Sequence, residues 1–203
     1  MKHKNTEVEI RAEVHIKNLD SLKNNFDNIG KVLSHTKRLS VMYFGEINNQ
    51  KTDIRVRITN GACEVAAKFG SFGASDRVEI CQPINKDQFL GMVKIFSQFK
   101  FKAEVGERET INYDLNDGIV ASLVVAGNLS YVELEKMSSS EEVAGSRDLL
   151  CILANKLNLK ILNEDSFNDL CDRLSGSVDW PFLGSEDDNL KLNNLLDTYF
   201  GDK

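Results

Sequence analysis

The feature that most constrains this chain is a strict alternation of charged and apolar side chains along several short segments. From Glu7 to Lys17, the residues Glu7, Glu9, Arg11, Glu13, His15 and Lys17 point one way, and Val8, Ile10, Ala12, Val14 and Ile16 the other. A period of two belongs to a half-buried β-strand, because successive Cβ atoms project to opposite faces of a sheet. The pattern returns at Asp53–Thr59, where Asp53, Arg55 and Arg57 oppose Ile54, Val56 and Ile58, and at Ala62–Phe69, where Glu64 and Lys68 oppose Val65, Ala67 and Phe69. It recurs with Arg77 and Glu79 against Val78 and Ile80, and late in the chain with Glu133 and Glu135 against Val132 and Leu134.

Further strands are expected at Val32–Leu39, Ser40–Ile47, Asp76–Gln82, Lys102–Tyr113, Ile119–Val125 and Leu129–Met137. Turns are expected at Asn48–Asn49, Asn60–Gly61, Gly70–Ser75 and Asn116–Gly118. The period changes to that of a helix at Lys86–Phe99, where Phe89, Met92, Val93, Ile95, Phe96 and Phe99 form a stripe. Other helices are expected at Ser21–Ile29, with Asp20 or Ser21 as cap, at Glu141–Leu157 and at Asp165–Leu174. The fold class is therefore α+β. Apolar strand faces need covering by helices, which leaves the charged faces on the concave side of a curved sheet, so an eight-stranded antiparallel closed barrel with helices outside is expected. One domain spans residues 1–174. Residues 175–203 carry Ser175, Gly176, Pro181, Gly184 and an acidic run, and read as a mobile tail with one helical turn at Leu190–Tyr199.

The 25 Lys and Arg residues are outnumbered by 31 Asp and Glu, for a net charge of -6. That balance argues against nucleic acid bound through a broad basic surface, but not against a small phosphate pocket. No apolar run follows the first lysines and none is long enough to span a bilayer, so neither signal peptide nor membrane anchor is expected. The cysteines Cys63, Cys81, Cys151 and Cys171 form no close pair, and no histidine stands near one. Reduced thiols of a cytoplasmic protein are the simplest reading.

The first and last charged strands each place two glutamates two residues apart. Four carboxylates on one concave face would repel unless a cation sat among them, and an all-oxygen donor set suits Mg2+ or Mn2+. Arginines and lysines of the middle strands could then hold phosphoryl oxygens.

In this order, the segments resemble the CYTH superfamily, the triphosphate tunnel metalloenzymes. Glu7-Val-Glu9-Ile-Arg11 resembles the Glu-x-Glu-x-Lys signature, and Asp53-Ile-Arg55-Val-Arg57 the Leu-Arg-x-Arg strand. Lys68 followed by Arg77-x-Glu79 is similar to the Lys then Arg-x-Glu pattern, Glu133-Leu-Glu135 to the closing Glu-x-Glu, and Ser166–Leu170 to a short C-terminal motif. The resemblance covers about residues 5–174. It implies a tunnel-like barrel with Glu7, Glu9, Glu133 and Glu135 as ligands of Mg2+ or Mn2+. It also implies Arg11, Arg55, Arg57, Lys68, Arg77 and Arg108 on the triphosphate, with Glu7, Glu9, Arg11, Glu133 and Glu135 as the catalytic set. The implied partner is a small triphosphate or nucleotide, with a homodimer left open.

The chain departs from this pattern in four places. Arg11 stands where the signature has lysine, Gly106-Glu107-Arg108 offers glycine where Lys-x-Arg is usual, Ser122-Leu123-Val124-Val125 lacks the expected aspartate, and the second strand's Asp-x-Tyr-Phe is reduced to Val41-Met42-Tyr43-Phe44. Divalent-metal-dependent hydrolysis of tripolyphosphate, thiamine triphosphate or a nucleoside triphosphate is the leading expectation. A class IV-type adenylate cyclase and a polyphosphate- or nucleotide-binding protein with weakened catalysis are the alternatives. A plain β-domain with solvated charged faces is the remaining one.

Overall fold

The computed structural model describes residues 6–70, 78–139 and 141–201. The elements in chain order are β1 (Thr6–Val14), α1 (Leu19–Ile29), β2 (Lys31–Ile47), β3 (Gln50–Thr59), β4 (Ala62–Phe69), β5 (Val78–Ile84), α2 (Phe89–Ser97), β6 (Lys102–Asp114), β7 (Ile119–Ala126) and β8 (Leu129–Ser138). They are followed by α3 (Val143–Lys156), α4 (Glu164–Ser177), β9 (Trp180–Pro181) and α5 (Glu186–Phe200). The strands hydrogen-bond in the order β1-β8-β7-β6-β2-β3-β4-β5, with β9 on β6. The hairpin turns form as read: Asn48 and Asn49 at φ 51° and 61°, and Asn60 and Gly61 at φ 47° and 83°. Two left-handed residues in a row match the twist of the flanking strands, and Asn and Gly bear that conformation most easily.

The expected closed barrel is corrected. The hydrogen-bonded order begins at β1 and ends at β5, and among the described residues these two edges do not pair. Closure requires every edge to find a strand partner, and here each edge is blunted locally instead. On β1, Leu162 donates its backbone N–H to Arg11 O at 2.8 Å, and Ala12 bridges to Ile161. On β5, Pro83 has no N–H to donate, a residue that sheets confine to edge strands. Alternation fixes which residues share a face, but it says nothing about whether the last strand returns to the first. A second difference lies in β2, one strand of 17 residues where two were expected to meet at Leu39 and Ser40. Leu39, Val41 and Tyr43 keep one parity through the junction, and no turn residue interrupts them.

By packing, the chain divides into two compact units, Met1–His35 with Glu109–Leu174, and Thr36–Arg108 with Ser175–Lys203. In the first, Val8, Ile10, Ala12 and Val14 of β1 meet Ile119, Ala121 and Leu123 of β7 and Val132 and Leu134 of β8. Leu22 and Phe26 of α1 and Leu150 and Ala154 of α3 cover that face. The helices are recruited because they bury an apolar stripe, worth about 1.5–3 kcal/mol for each fully buried large side chain. Opposite this core lie Glu7, Glu9 and Arg11.

In the second unit, Leu39, Val41 and Tyr43 pack with Ile54, Val56 and Ile58 under Phe89 and Val93 of α2. The segment after Leu174 joins this core. Phe182, Leu192 and Leu196 are buried in it, β9 pairs Val105 with Trp180, and Ser185 and Asp188 form a capping box at the start of α5. Among the described residues, no helix is long and apolar enough to cross a membrane.

Candidate functional site

The first unit gathers the carboxylates. Antiparallel pairing of β1 with β8 sets Arg11 opposite Glu133 and Glu9 opposite Glu135, while Glu7 falls opposite Met137. Arg11 Nη2 donates to Glu9 Oε2 at 2.6 Å and Arg11 Nε to Glu133 Oε1 at 3.0 Å. The ring of Phe167, in the first turn of α4, lies 4.5 Å from the guanidinium carbon, within the range of a cation–π contact. Burial, followed by the Glu133 charge, pushes the Glu9 carboxyl up to about 8 against the opposing pull of Arg11. Burial and the charges of Glu7 and Glu133 raise the Glu135 carboxyl as well. Burial disfavours the charged form of Arg11, but Glu9 and Glu133 outweigh it and raise the guanidinium further.

The donor chemistry of these four glutamates is that of a hard divalent cation, and Glu9 Oε1 is buried without a hydrogen-bond partner. Their arrangement does not match that chemistry. Among the described residues, no three carboxylates, histidines or cysteines converge on a point that could hold a metal. Arg11 instead takes one oxygen from each of two carboxylates. The residues as placed form a triad bridged by Arg11 rather than a metal centre.

The second unit gathers the cations. The register of β2, β3, β4 and β5 brings Arg57 opposite Glu64, Asp53 opposite Lys68 and Lys68 opposite Glu79. Arg55 forks onto Asp53 at 2.9 and 2.7 Å. Arg57 meets Glu64 at 2.8 Å and Glu79 at 3.5 Å, and Lys68 meets Glu79 at 3.0 Å. Burial works against the charged form of Glu79, but Lys68 and Arg57 hold its carboxyl below the usual range. Arg77, like residues 71–75 of the expected Gly70–Ser75 turn, lies outside the described residues. Arg108 forks onto Asp179 at 2.7 Å on both arms, and the Asp179 side chain is only 3% exposed. Gly106 is explained by this pair: a Cβ there would stand 2.4 Å from Asp179 Oδ1. Asp179 therefore fills the space that a lysine at position 106 would need.

Arg38 was missed by the sequence reading. It sits on β2 opposite Thr59 and donates from Nε to Thr59 Oγ1 at 2.9 Å. Among the described residues no carboxylate pairs with it. Burial, then the charges of Arg57 and Arg55, lower its guanidinium from the ordinary value, with Glu64 and Glu79 opposing. Its signal lay in the parity of β2, where Arg38, Ser40 and Met42 continue one face through the expected strand break. On this face four cations (Arg38, Arg55, Arg57 and Lys68) stand with three carboxylates (Asp53, Glu64 and Glu79), so the cluster as described carries an excess positive charge.

No protein-family model matches the chain, and no curated protein matches it by sequence. Solved structures do. A candidate adenylate cyclase from Vibrio parahaemolyticus superimposes with a TM-score of 0.61 at 16% identity, over 82% of this chain and 98% of that one. The PH1012 protein from Pyrococcus horikoshii OT3 gives 0.59 at 18% identity, over 79% and 93%. A candidate adenylyl cyclase from Hippeastrum, described as having a dominant triphosphatase activity, gives 0.53 at 14% identity, over 78% and 90%. At these identities the likeness is one of fold, and at that level it bears out the resemblance read from the sequence.

Proposed function

We propose that this protein is a triphosphatase that takes a small triphosphate, such as tripolyphosphate, thiamine triphosphate or a nucleoside triphosphate, as its Mg2+ or Mn2+ complex. The observation that carries this reading is Arg38, a half-buried guanidinium with no carboxylate partner among the described residues, lowered first by burial and then by its neighbours Arg57 and Arg55. Like charges crowded at a partly desolvated place are relieved by an anion, and guanidinium forks fit phosphoryl oxygens in bidentate fashion. Neutralising and orienting the phosphates is most of what a protein contributes to phosphoryl transfer. The fold shared with the Hippeastrum protein, which is described as a triphosphatase, agrees with this assignment.

A second reading is binding without turnover. It is favoured by the Glu9–Arg11–Glu133 triad, which engages carboxylates that a resident metal would require. Calorimetric titration with tripolyphosphate, run beside phosphate release from tripolyphosphate, thiamine triphosphate, ATP and GTP with each metal, separates the two readings. Arg38→Met should weaken tripolyphosphate binding by about 10- to 100-fold, the loss of one charge-assisted hydrogen bond, without lowering thermal stability. Unchanged affinity in that variant would refute the anion site. Tight binding with no phosphate released from any substrate would select the second reading.

A further inference from the structure

We propose that Arg11 is a built-in counter-ion that takes the place of a divalent metal between Glu9 and Glu133, so that this carboxylate cluster rejects Mg2+ and Mn2+ in the unmodified protein. The inference concerns the first unit alone and stands whether or not a triphosphate is the substrate. Three separate sets of contacts support it.

The guanidinium is engaged on both sides by Glu9 Oε2 at 2.6 Å and Glu133 Oε1 at 3.0 Å. These are charge-assisted bonds at favourable lengths. An ion approaching the two carboxylates would have to compete for the same oxygens or displace the side chain. Unlike lysine, an arginine spreads its charge over a plane and offers several N–H groups, so one side chain can bridge two carboxylates while its face stays available for stacking.

That face is taken by Phe167 at 4.5 Å. The ring is held there by the start of α4. Phe167 N donates to Asn163 O at 2.9 Å, and Ser166 N donates to Asn163 Oδ1 at 2.9 Å. The helix is tied back to β1 by Arg173, which forks onto Glu13 at 2.8 and 2.6 Å and also reaches Asp169 at 3.0 Å. The backbone of Arg11 itself is fixed from the β1 edge, where its carbonyl accepts from Leu162 N at 2.8 Å. Strand edge, helix and ring thus surround a guanidinium already seated between its two carboxylates. To clear the cluster for a metal, Arg11 would have to leave both glutamates and the aromatic ring together.

The test is Mn2+ binding to the whole protein without substrate, read as loss of the free Mn2+ signal by electron paramagnetic resonance. The series is wild type, Glu133→Gln, Arg11→Met, Arg11→Lys, and Arg11→Met combined with Glu133→Gln. Wild type should hold no Mn2+ that depends on Glu133. Arg11→Met should bind Mn2+ tighter than wild type by about tenfold or more, the factor for losing one charge-assisted competitor, and Glu133→Gln should remove the gain. Arg11→Lys, which keeps the charge but loses the fork, should fall between the two and guards against misfolding of the methionine variant, with thermal unfolding as the check on both. Wild-type Mn2+ binding that Glu133→Gln abolishes would overturn the proposal. So would folded Arg11→Met and Arg11→Lys variants that bind no more Mn2+ than wild type.

Discussion

Replacing Gly106 by alanine should break the Arg108–Asp179 fork, and its effect can be worked from distances. The added Cβ would lie 2.4 Å from Asp179 Oδ1, 2.8 Å from Asp179 Cγ and 2.9 Å from Arg108 Nη1. Ordinary contact begins near 3.4 Å, so the oxygen must retreat by about 1 Å. The 2.7 Å bond it accepts from Arg108 Nη1 cannot stretch that far and remain a hydrogen bond. Losing a charge-assisted fork costs about 1.5–3 kcal/mol. Breaking a fully buried pair costs about 3–5 kcal/mol, a ceiling here because Arg108 is 17% exposed and can reach water. Alanine returns about 0.5–1 kcal/mol through the smaller entropy of its unfolded chain. The net loss is about 1–2 kcal/mol, which for a chain of this size lowers the melting temperature by roughly 2–8 °C. Urea unfolding followed by the fluorescence of Trp180, the neighbour of Asp179 and the single tryptophan of the chain, measures it directly. Asp179→Ala removes the obstructing atoms, so adding Gly106→Ala to that variant should change stability by less than about 1 kcal/mol, leaving a coupling of about 2 kcal/mol between the sites. A Gly106→Ala protein within about 0.5 kcal/mol of wild type, or an equal loss in both backgrounds, would show that the close approach to Asp179 is not what requires glycine.

Two further outcomes follow from the first unit. The Glu9 carboxyl keeps its proton up to about pH 8 in the folded protein against an ordinary value of 4.5, so the folded state holds more protons than the unfolded one across that window. Stability should therefore fall as pH rises from about 5 to 8, by at most ~1.4 kcal/mol per pH unit from this group. Glu9→Gln should flatten the slope in pH-dependent urea titrations, and an unaltered slope would remove Glu9 as its source. Phe26 is fully buried, with its ring 5.1 Å from that of Tyr113. Phe26→Ala should cost about 3–5 kcal/mol in the same unfolding assay, and a loss under about 1 kcal/mol would mean that α1 is not anchored through this ring.

Much of the fold was legible because it depends on parity and turn chemistry, both of which are local. Val8, Ile10, Ala12 and Val14 face the first core as their alternation requires, and the asparagine-rich turns at 48–49 and 60–61 take the left-handed conformations their residues favour. What was not local was misread. The break placed at Leu39 and Ser40 fell inside a continuous strand whose pairing with β3 runs from Arg38 to Ile47. The order in which strands meet, and hence whether the sheet closes, depends on pairings between residues far apart in sequence, which alternation leaves undetermined. The closing segment read as a tail because Ser175, Gly176, Pro181 and Gly184 look like linker residues, yet Phe182, Leu192 and Leu196 between and after them reach the second core.

The site was legible as a set of residue types, but their pairings were not. Position and parity identified Glu9, Arg11 and Glu133 as sharing a face, and they do. Nothing in the alternation could tell that Arg11 would hold the two glutamates itself, because that depends on register between β1 and β8 and on Phe167 arriving from a helix more than 150 residues away along the chain. The same holds for Arg108, whose partner Asp179 comes from beyond the region of family resemblance. Three of the four departures first seen in the sequence thus separate by cause. Gly106 follows from the close approach of Asp179, a packing requirement, whereas Arg11 follows from donor geometry, since a planar guanidinium can bridge Glu9 and Glu133 while stacking on Phe167. Ser122 has a third role: its Oγ hydrogen-bonds Asn112 Oδ1 at 2.7 Å, and Asn112 Nδ2 donates to Ser34 Oγ at 2.8 Å. An aspartate at position 122 would set a charge against an acceptor in that chain of neutral groups and beside Glu133, which lies opposite it on β8. A neutral residue there keeps a further negative charge away from a carboxylate pair whose positive partner is Arg11.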